Sequence, residues 1–148
     1  MTRIFDILFS FIGLLILSPI ILVLLIIGFI DTGSPLFRQE RVGRHQQAFR
    51  LLKFRSMHPN TQAVATHLVQ TSAITKWGSF LRKSKLDELP QLINVFMGDM
   101  SLVGPRPNLF NQEELITERA KREVYAVRPG ITGLAQIQKI DMLSLIHI

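Results

Sequence analysis

The chain has 148 residues and carries 17 Lys and Arg against 11 Asp and Glu, a net charge of +6. That length is enough for one domain with a buried core. The absence of cysteine excludes disulfides and thiolate metal sites and fits a cytosol-facing protein, while the basic surplus points to anionic partners: nucleic acid, anionic lipid or phosphorylated substrates.

Hydrophobic residues make up 47% of the chain and are concentrated in its first thirty positions. From Ile7 to Ile30 there is no charged residue. As one helix this run would be ~36 Å long, enough to cross a ~30 Å hydrocarbon layer. Ser18-Pro19 falls near its middle, where a proline removes a backbone donor and kinks or breaks the helix. Two geometries follow: a kinked span, or a re-entrant helix that dips in, turns at Ser18-Pro19 and returns. Arg3 before the run and Arg38, Arg41 and Arg44 after it draw both flanks to the cytoplasm, which favours re-entry. A cleaved signal does not fit, because the run is too long and no small-x-small site follows Ile30.

Asp31-Thr32-Gly33-Ser34-Pro35 is a turn cluster that separates a membrane segment (1–33) from the rest (34–142). Leu36 to Arg41 and Ala48 to Phe54 read as a hairpin around Gly43. The region 58–75 reads as loop with a short helix. Between Ser84 and Met97, Leu86, Leu89, Leu92, Ile93, Phe96 and Met97 recur at helical spacing, and Gly98 is placed to stop that helix. Asn111 to Val127 is a second, charged helix with Glu118 and Arg122 spaced as an i,i+4 pair. The fold class is mostly α with a short β hairpin, a small membrane-associated domain on a re-entrant N-terminal helix.

Three clusters carry unusual residues. Arg82-Lys83-Ser84-Lys85-Leu86-Asp87-Glu88-Leu89-Pro90 sets adjacent carboxylates among cations. Ser84 and Asp87 are spaced as a helix capping box; alternatively one carboxylate attacks while the other holds a divalent cation. In Gly104-Pro105-Arg106-Pro107 two prolines stiffen the mount of a guanidinium, suited to bidentate phosphate recognition or to a plain rigid turn. Arg128-Pro129-Gly130-Ile131-Thr132-Gly133 is either an anion-binding loop or a Pro-Gly turn. Lys53-Phe54-Arg55-Ser56-Met57 reads as a nucleotide contact or as a positive face on lipid headgroups. His45, His58, His67 and His147 have no ligand spacing, and neither a P-loop nor a dinucleotide fingerprint is present.

Together these motifs, in this order, resemble the monotopic phosphoglycosyl transferases, a family of bacterial sugar transferases. The matching text is Lys53 to Met57, Leu86 to Leu92, Asn94-Val95, Gly98 to Pro107 and Arg128 to Gly133, with the Ser18-Pro19 break, over about Arg3 to Met142. The resemblance implies a small catalytic domain on the cytoplasmic face of the bacterial inner membrane. It implies that Asp87 is the nucleophile, that Glu88 is catalytic and a ligand of Mg²⁺, and that Arg82 and Arg106 bind phosphate. Lys53, Pro105, Pro107 and Arg128 complete the substrate-binding set. The implied substrates are a UDP-sugar and polyprenol phosphate. Sugar 1-phosphate would pass through a covalent aspartyl intermediate with release of UMP, the first step of surface-glycan assembly. Anionic membrane lipid is an expected partner, nucleic acid is not, and homo-oligomerisation is left open.

The rival reading is a membrane-anchored basic binding module, or an inactive scaffold. Against the module, the cations lack regular aromatic interleaving and the acidic pair sits among them. The last six residues, Leu143-Ser144-Leu145-Ile146-His147-Ile148, look like read-through of a sequencing adapter. Residues 143–148 are therefore expected to be non-native, and the chain to be a C-terminally truncated fragment.

Overall fold

The computed structural model describes residues 2–59, 73–133 and 137. Most of the loop and helix expected over 58–75, and all of the tail at 143–148, lie outside the described residues. The architecture is mostly helical with short strands, as expected.

Helix α1 runs from Thr2 to Thr32 without interruption, with Pro19 inside it. The break expected at Ser18-Pro19 is absent. Pro19 has no N–H for the Leu15 carbonyl one turn back, and the Ser18 hydroxyl supplies the missing donor at 2.8 Å. The helix is about 46 Å long at ~1.5 Å per residue, and one narrow stripe of it meets the domain along that whole length. Asp6, Ser10, Leu24 and Gly28 are its buried residues. Gly13 and Leu17 line a cleft between them, and Ile21 packs on the core. These positions advance in steps of three and four, the seam of a helix packed on one side. The other faces expose Phe5, Phe9, Leu15, Ile16, Leu22, Val23, Phe29 and Ile30. The polar and small residues Asp6, Ser10, Gly13 and Gly28 share the protein-facing seam with Leu17, Ile21 and Leu24, while the outward faces are large and apolar, unlike those of a soluble helix.

Both ends of α1 are tied down. Arg3 donates to the Val95 carbonyl at 2.5 Å and the Phe96 carbonyl at 2.8 Å, satisfying two acceptors at the end of another helix. Asp6 accepts from the Ser101 hydroxyl at 2.9 Å and the Leu102 N–H at 3.0 Å. At the far end, Gly28 lets Pro35 approach closely.

Strands β1 (Leu36–Val42) and β2 (Ala48–Phe54) form the expected hairpin, antiparallel from Leu36 opposite Phe54 to Val42 opposite Ala48. The turn uses left-handed backbone at His45 and Gln46. Helix α2 spans Lys76–Ser84 and helix α3 spans Gln91–Met97. Asn94 on α3 joins it to β2. Its side-chain oxygen accepts from the Leu52 N–H at 3.0 Å and its amide donates to the Arg50 carbonyl at 2.8 Å. A buried amide thus occupies the place of a third strand.

The single helix expected from Ser84 to Met97 is divided. Lys85 ends α2 in left-handed backbone at φ 61°, Leu86–Glu88 is one 3₁₀ turn, and Pro90 precedes α3. Proline is tolerated at a helix start but not in its interior. Gly98 does stop α3, at φ 105°.

A second pair of strands was not foreseen. Strand β3 (Ser101–Val103) runs parallel to β4 (Gly130–Thr132), with Ser101 opposite Gly130 and Val103 opposite Thr132. Between them, helix α4 (Glu113–Lys121) and a 3₁₀ turn at Val124–Ala126 occupy the span read as one helix. Glu118 bonds Lys121 at 2.6 Å rather than the expected i,i+4 partner Arg122, whose charge also acts on it. Two small apolar cores hold the elements together. Leu24, Phe54 and Leu81 join α1, β2 and α2, while Leu51, Val95 and Met100 join β2 and α3.

Candidate active site

Asp87 and Glu88 lie on the 3₁₀ turn between α2 and α3, facing the hairpin. The capping alternative fails here. Ser84 is the last residue of α2 and its hydroxyl donates backwards, to the Phe80 carbonyl at 2.8 Å and the Leu81 carbonyl at 3.2 Å. Asp87 caps no helix. It is buried, and its nearest cation is Lys53, at 4.0 Å.

Glu88 is the hub. Its Oε1 accepts from Lys53 Nζ at 2.8 Å and from Arg106 Nη2 at 2.9 Å. Residues 53, 88 and 106, read from three separate motifs, therefore meet at one oxygen. Burial alone would raise the Glu88 pKa, but Lys53 and Arg106, by charge and hydrogen bond, outweigh it and hold the carboxyl at about 2. Asp87 goes the other way. Burial raises its pKa, and the charge of Glu88 adds to this against the opposing pull of Lys53, Arg82 and Lys85. Desolvation is thus a larger effect at Asp87 than the cations among which the motif sets it. Burial also lowers the pKa of Lys53, against the pull of Glu88.

Arg106 is held as stiffly as its flanking prolines suggested, and by more than prolines. Its own carbonyl accepts from Arg119 Nη1 at 2.7 Å, and the Pro107 carbonyl from Arg41 Nη1 at 3.3 Å. The Pro105 carbonyl accepts from the Gly130 N–H at 2.9 Å. This last bond joins two motifs that had looked separate. A Cβ on Gly130 would collide with the backbone nitrogen of Gly104, so both glycines are required for one close backbone crossing.

Arg82 approaches Asp87 closely enough to act on its charge, but its Nε donates to Ser56 Oγ at 2.8 Å. Arg128 is not brought to the carboxylates by any bond; its Nε donates to the Gly98 carbonyl at 2.8 Å. Arg41 entered the sequence reading as a flanking charge of the apolar run, and Arg119 not at all. Burial, and then the charge of Arg106, pull the Arg41 pKa down to about 10. Nothing in their spacing marks them, since each acts through a backbone carbonyl of a distant loop. Asp6 carried a signal that was available: one acid inside an apolar helix, four residues before a serine.

No cluster of three or more His, Asp or Glu able to hold a metal ion occurs among the described residues. Two carboxylates do fit Mg²⁺ of the kind held by one or two protein carboxylates together with substrate phosphates. Glu88 is ionised, a hard oxygen donor, and both its cations take the same oxygen, leaving Oε2 without a partner among the described residues.

A family model described as bacterial sugar transferase matches residues 1–146. The chain belongs to the bacterial sugar transferase family. It is 42% identical over 96% of its length to the uncharacterized sugar transferase EpsL of Bacillus subtilis (strain 168), of which it covers 70%. It is 40% identical over 92% of its length to the exopolysaccharide production protein PSS of Rhizobium leguminosarum bv. phaseoli, covering 72% of that protein. With the undecaprenyl-phosphate galactose phosphotransferase of Salmonella typhimurium it shares 40% identity over 91% of the chain, which corresponds to 32% of that longer enzyme.

Proposed function

We propose that this sugar transferase moves a sugar 1-phosphate from a UDP-sugar to polyprenol phosphate at the cytoplasmic face of a bacterial inner membrane. The observation that carries this reading is the pair of consecutive carboxylates in opposed electrostatic states. Glu88 is fixed as an anion between Lys53 and Arg106, while Asp87 is desolvated, free of hydrogen bonds and beside them. A desolvated carboxylate without donors is a reactive nucleophile once ionised, and the two cations offset the negative charge of an arriving diphosphate. The relative from Salmonella, named an undecaprenyl-phosphate galactose phosphotransferase, supports a lipid-linked phosphate acceptor.

An Asp87 carboxylate oxygen attacks the β-phosphorus of the UDP-sugar. The bond from that phosphorus to the oxygen bridging the two phosphates breaks, and UMP leaves with the electron pair. A phosphate oxygen of the polyprenol phosphate then attacks the same phosphorus and releases the Asp87 carboxylate, giving a polyprenol diphosphate sugar. Lys53 and Arg106, both at Glu88 Oε1, orient the diphosphate, with Arg82 set back on Ser56 as a further cation. Glu88, with Asp87 beside it, would hold Mg²⁺, which when bound supplies charge neutralisation to the diphosphate.

The membrane reading follows from α1, the one helix among the described residues long and apolar enough to cross a bilayer. Its free apolar faces meet lipid while its seam carries the domain, so the active site sits at the depth of the headgroups. The test is transfer from UDP-sugar to polyprenol phosphate, with UMP release followed directly and the phosphosugar adduct on an Asp87 peptide sought by mass spectrometry. Loss of both in Asp87→Ala is expected; a fully active Asp87→Ala protein overturns the mechanism.

A further inference from the structure

A cleft of about 530 Å³ opens between α1 and the segment that carries the carboxylates. That volume lies within the ~300–1,000 Å³ usual for ligand pockets. Its walls are apolar, formed by Gly13 and Leu17 of α1, Leu89 and Leu92, and Ile131 of β4. Its polar end is formed by Glu88 and Lys85. Gly13 contributes to its width, for a Cβ there already touches the Leu92 side chain at 3.4 Å. Lys85 is unusual in three respects. It sits in left-handed backbone without being glycine, at φ 61°, a costly conformation for such a residue. It is exposed, and among the described residues its ammonium makes no hydrogen bond or ion pair. It also lies close enough to Asp87 to act on its charge.

We propose that this cleft seats the first isoprene units of the polyprenol phosphate and that Lys85 holds the acceptor's phosphate beside Asp87. The inference rests on the transferase reading and deepens it by separating the acceptor's grip from the donor's. Lys53 and Arg106 are committed to Glu88 and serve the diphosphate, which leaves Lys85 as the unpaired cation lining the cleft, at its polar end, among the described residues. The occupant follows from the shape of the chemistry: one cationic contact at the end of an apolar slot. One wall of the slot is α1 itself, whose other faces are exposed and apolar, so a lipid chain lying on that helix is beside the slot. A headgroup of bulk lipid meets the same cation but has two acyl chains to place in one slot. Lys85 is on this account a positioning residue.

The two half-reactions separate the roles. With the chain in lipid nanodiscs, exchange of labelled UMP into UDP-sugar reads donor chemistry without acceptor. Lys85→Met is expected to leave that exchange intact, well above the carboxylate titration range, while raising the KM for polyprenol phosphate about tenfold, the worth of one charge-assisted contact. Gly13→Leu, which fills the slot, is expected to raise the KM for a long polyprenol phosphate but not for a one-isoprene phosphate; retained turnover of the short acceptor also reports that this variant is folded. Equal loss with both acceptors, or slowed UMP exchange in Lys85→Met, overturns the proposal. A diazirine-bearing polyprenol phosphate reads the slot without turnover. Labelling at residues 13–17 and 89–92, competed by polyprenol phosphate and not by phosphatidylglycerol vesicles, is expected. Labelling elsewhere, or competition by phosphatidylglycerol, overturns the slot and leaves the transferase reading standing. Absence of UMP exchange in the wild-type chain strikes at that reading instead.

Discussion

Asp87 and Glu88 are neighbours in sequence and on one turn of 3₁₀ helix, yet the protein drives their acidities apart. Burial raises Asp87, whereas Lys53 and Arg106 overcome burial at Glu88 and hold it at about 2. Two titratable groups separated in this way have different chemical duties, one poised to react and the other fixed in charge. The separation makes consequences that can be measured.

The first is the acid limb of activity. On the proposed mechanism only ionised Asp87 attacks, so UMP release should fall as pH drops through the raised pKa of Asp87, above the ordinary aspartate range. Glu88 stays charged through that whole window. The kcat/KM for UMP release plotted against pH reports the free enzyme's essential groups. Lys53→Met removes the largest force opposing Asp87's upward shift, so its limb should lie at still higher pH.

Asp87 also sets function against stability. A carboxyl whose folded pKa is raised favours folding in its neutral form; that contribution is complete below the unfolded pKa and is lost as pH rises through the folded one. At neutral pH the wild-type chain therefore carries a destabilising charge that Asp87→Asn removes. Thermal unfolding should show the variant equal to or more stable than wild type at neutral pH. The gap should close as pH falls below the ordinary aspartate value, while transfer is abolished throughout. A variant clearly less stable at neutral pH contradicts a desolvated Asp87.

Glu88 predicts the opposite sign. Its pKa falls from an ordinary 4.5 to about 2 on folding, so its contribution is present above 4.5 and is lost as pH drops toward 2. Glu88→Gln leaves Lys53 and Arg106 half-buried without the negative charge they share. A loss of about 2–3 kcal/mol at neutral pH is expected, allowing for partial exposure. Urea unfolding at several pH values checks it: the difference from wild type should shrink between pH 4.5 and 2.

The candidate site residues were more legible in the sequence than the helices that carry them. Asp87, Glu88, Lys53 and Arg106 stand in motifs with mixed charge and proline, and those patterns point to chemistry wherever the backbone runs. The hairpin was readable because its two apolar runs flank Gly43 at a short interval. The helix across 84–97 was misread because apolar spacing continues in phase through Leu86 and Leu89, although Lys85 and Pro90 divide the backbone. The β3–β4 pair was invisible, because each strand is three residues long and pairing spans 29 positions from Ser101 to Gly130. The two motifs around Gly104 and Gly130, read as separate, are joined at one backbone crossing that spacing alone does not reveal.

That crossing carries its own prediction. Gly130→Ala places a methyl group against the Gly104 backbone, and neither strand can move without releasing the Pro105 carbonyl that helps hold Arg106. Overpacking of this kind costs about 1–3 kcal/mol. UMP release should fall along with stability, because Arg106 loses its mount. Ile131→Val, one position along the same strand, should leave UMP release near wild type. Equal loss in both would mean that β4 matters through packing alone.

The last prediction concerns which side of the membrane α1 begins on. A helix about 46 Å long can cross a bilayer, yet its start is bonded to α3 and β3, and near its end Asp31 accepts from Thr75 at the start of α2 in the same small domain. For α1 to span, the carbonyls of Val95 and Phe96 and the Leu102 N–H would have to lose Arg3 and Asp6 to a separate compartment. Asp6 would then have to be satisfied by water on the far side. The chain is free of cysteine, so Thr2→Cys and Ser34→Cys, both at exposed positions, each give a single reporter. A membrane-impermeant maleimide applied to inside-out vesicles should label both, and applied to intact spheroplasts neither. Labelling of Thr2→Cys from outside would establish a single-pass anchor. The seam from Asp6 to Gly28 would then have to pack on something other than this domain.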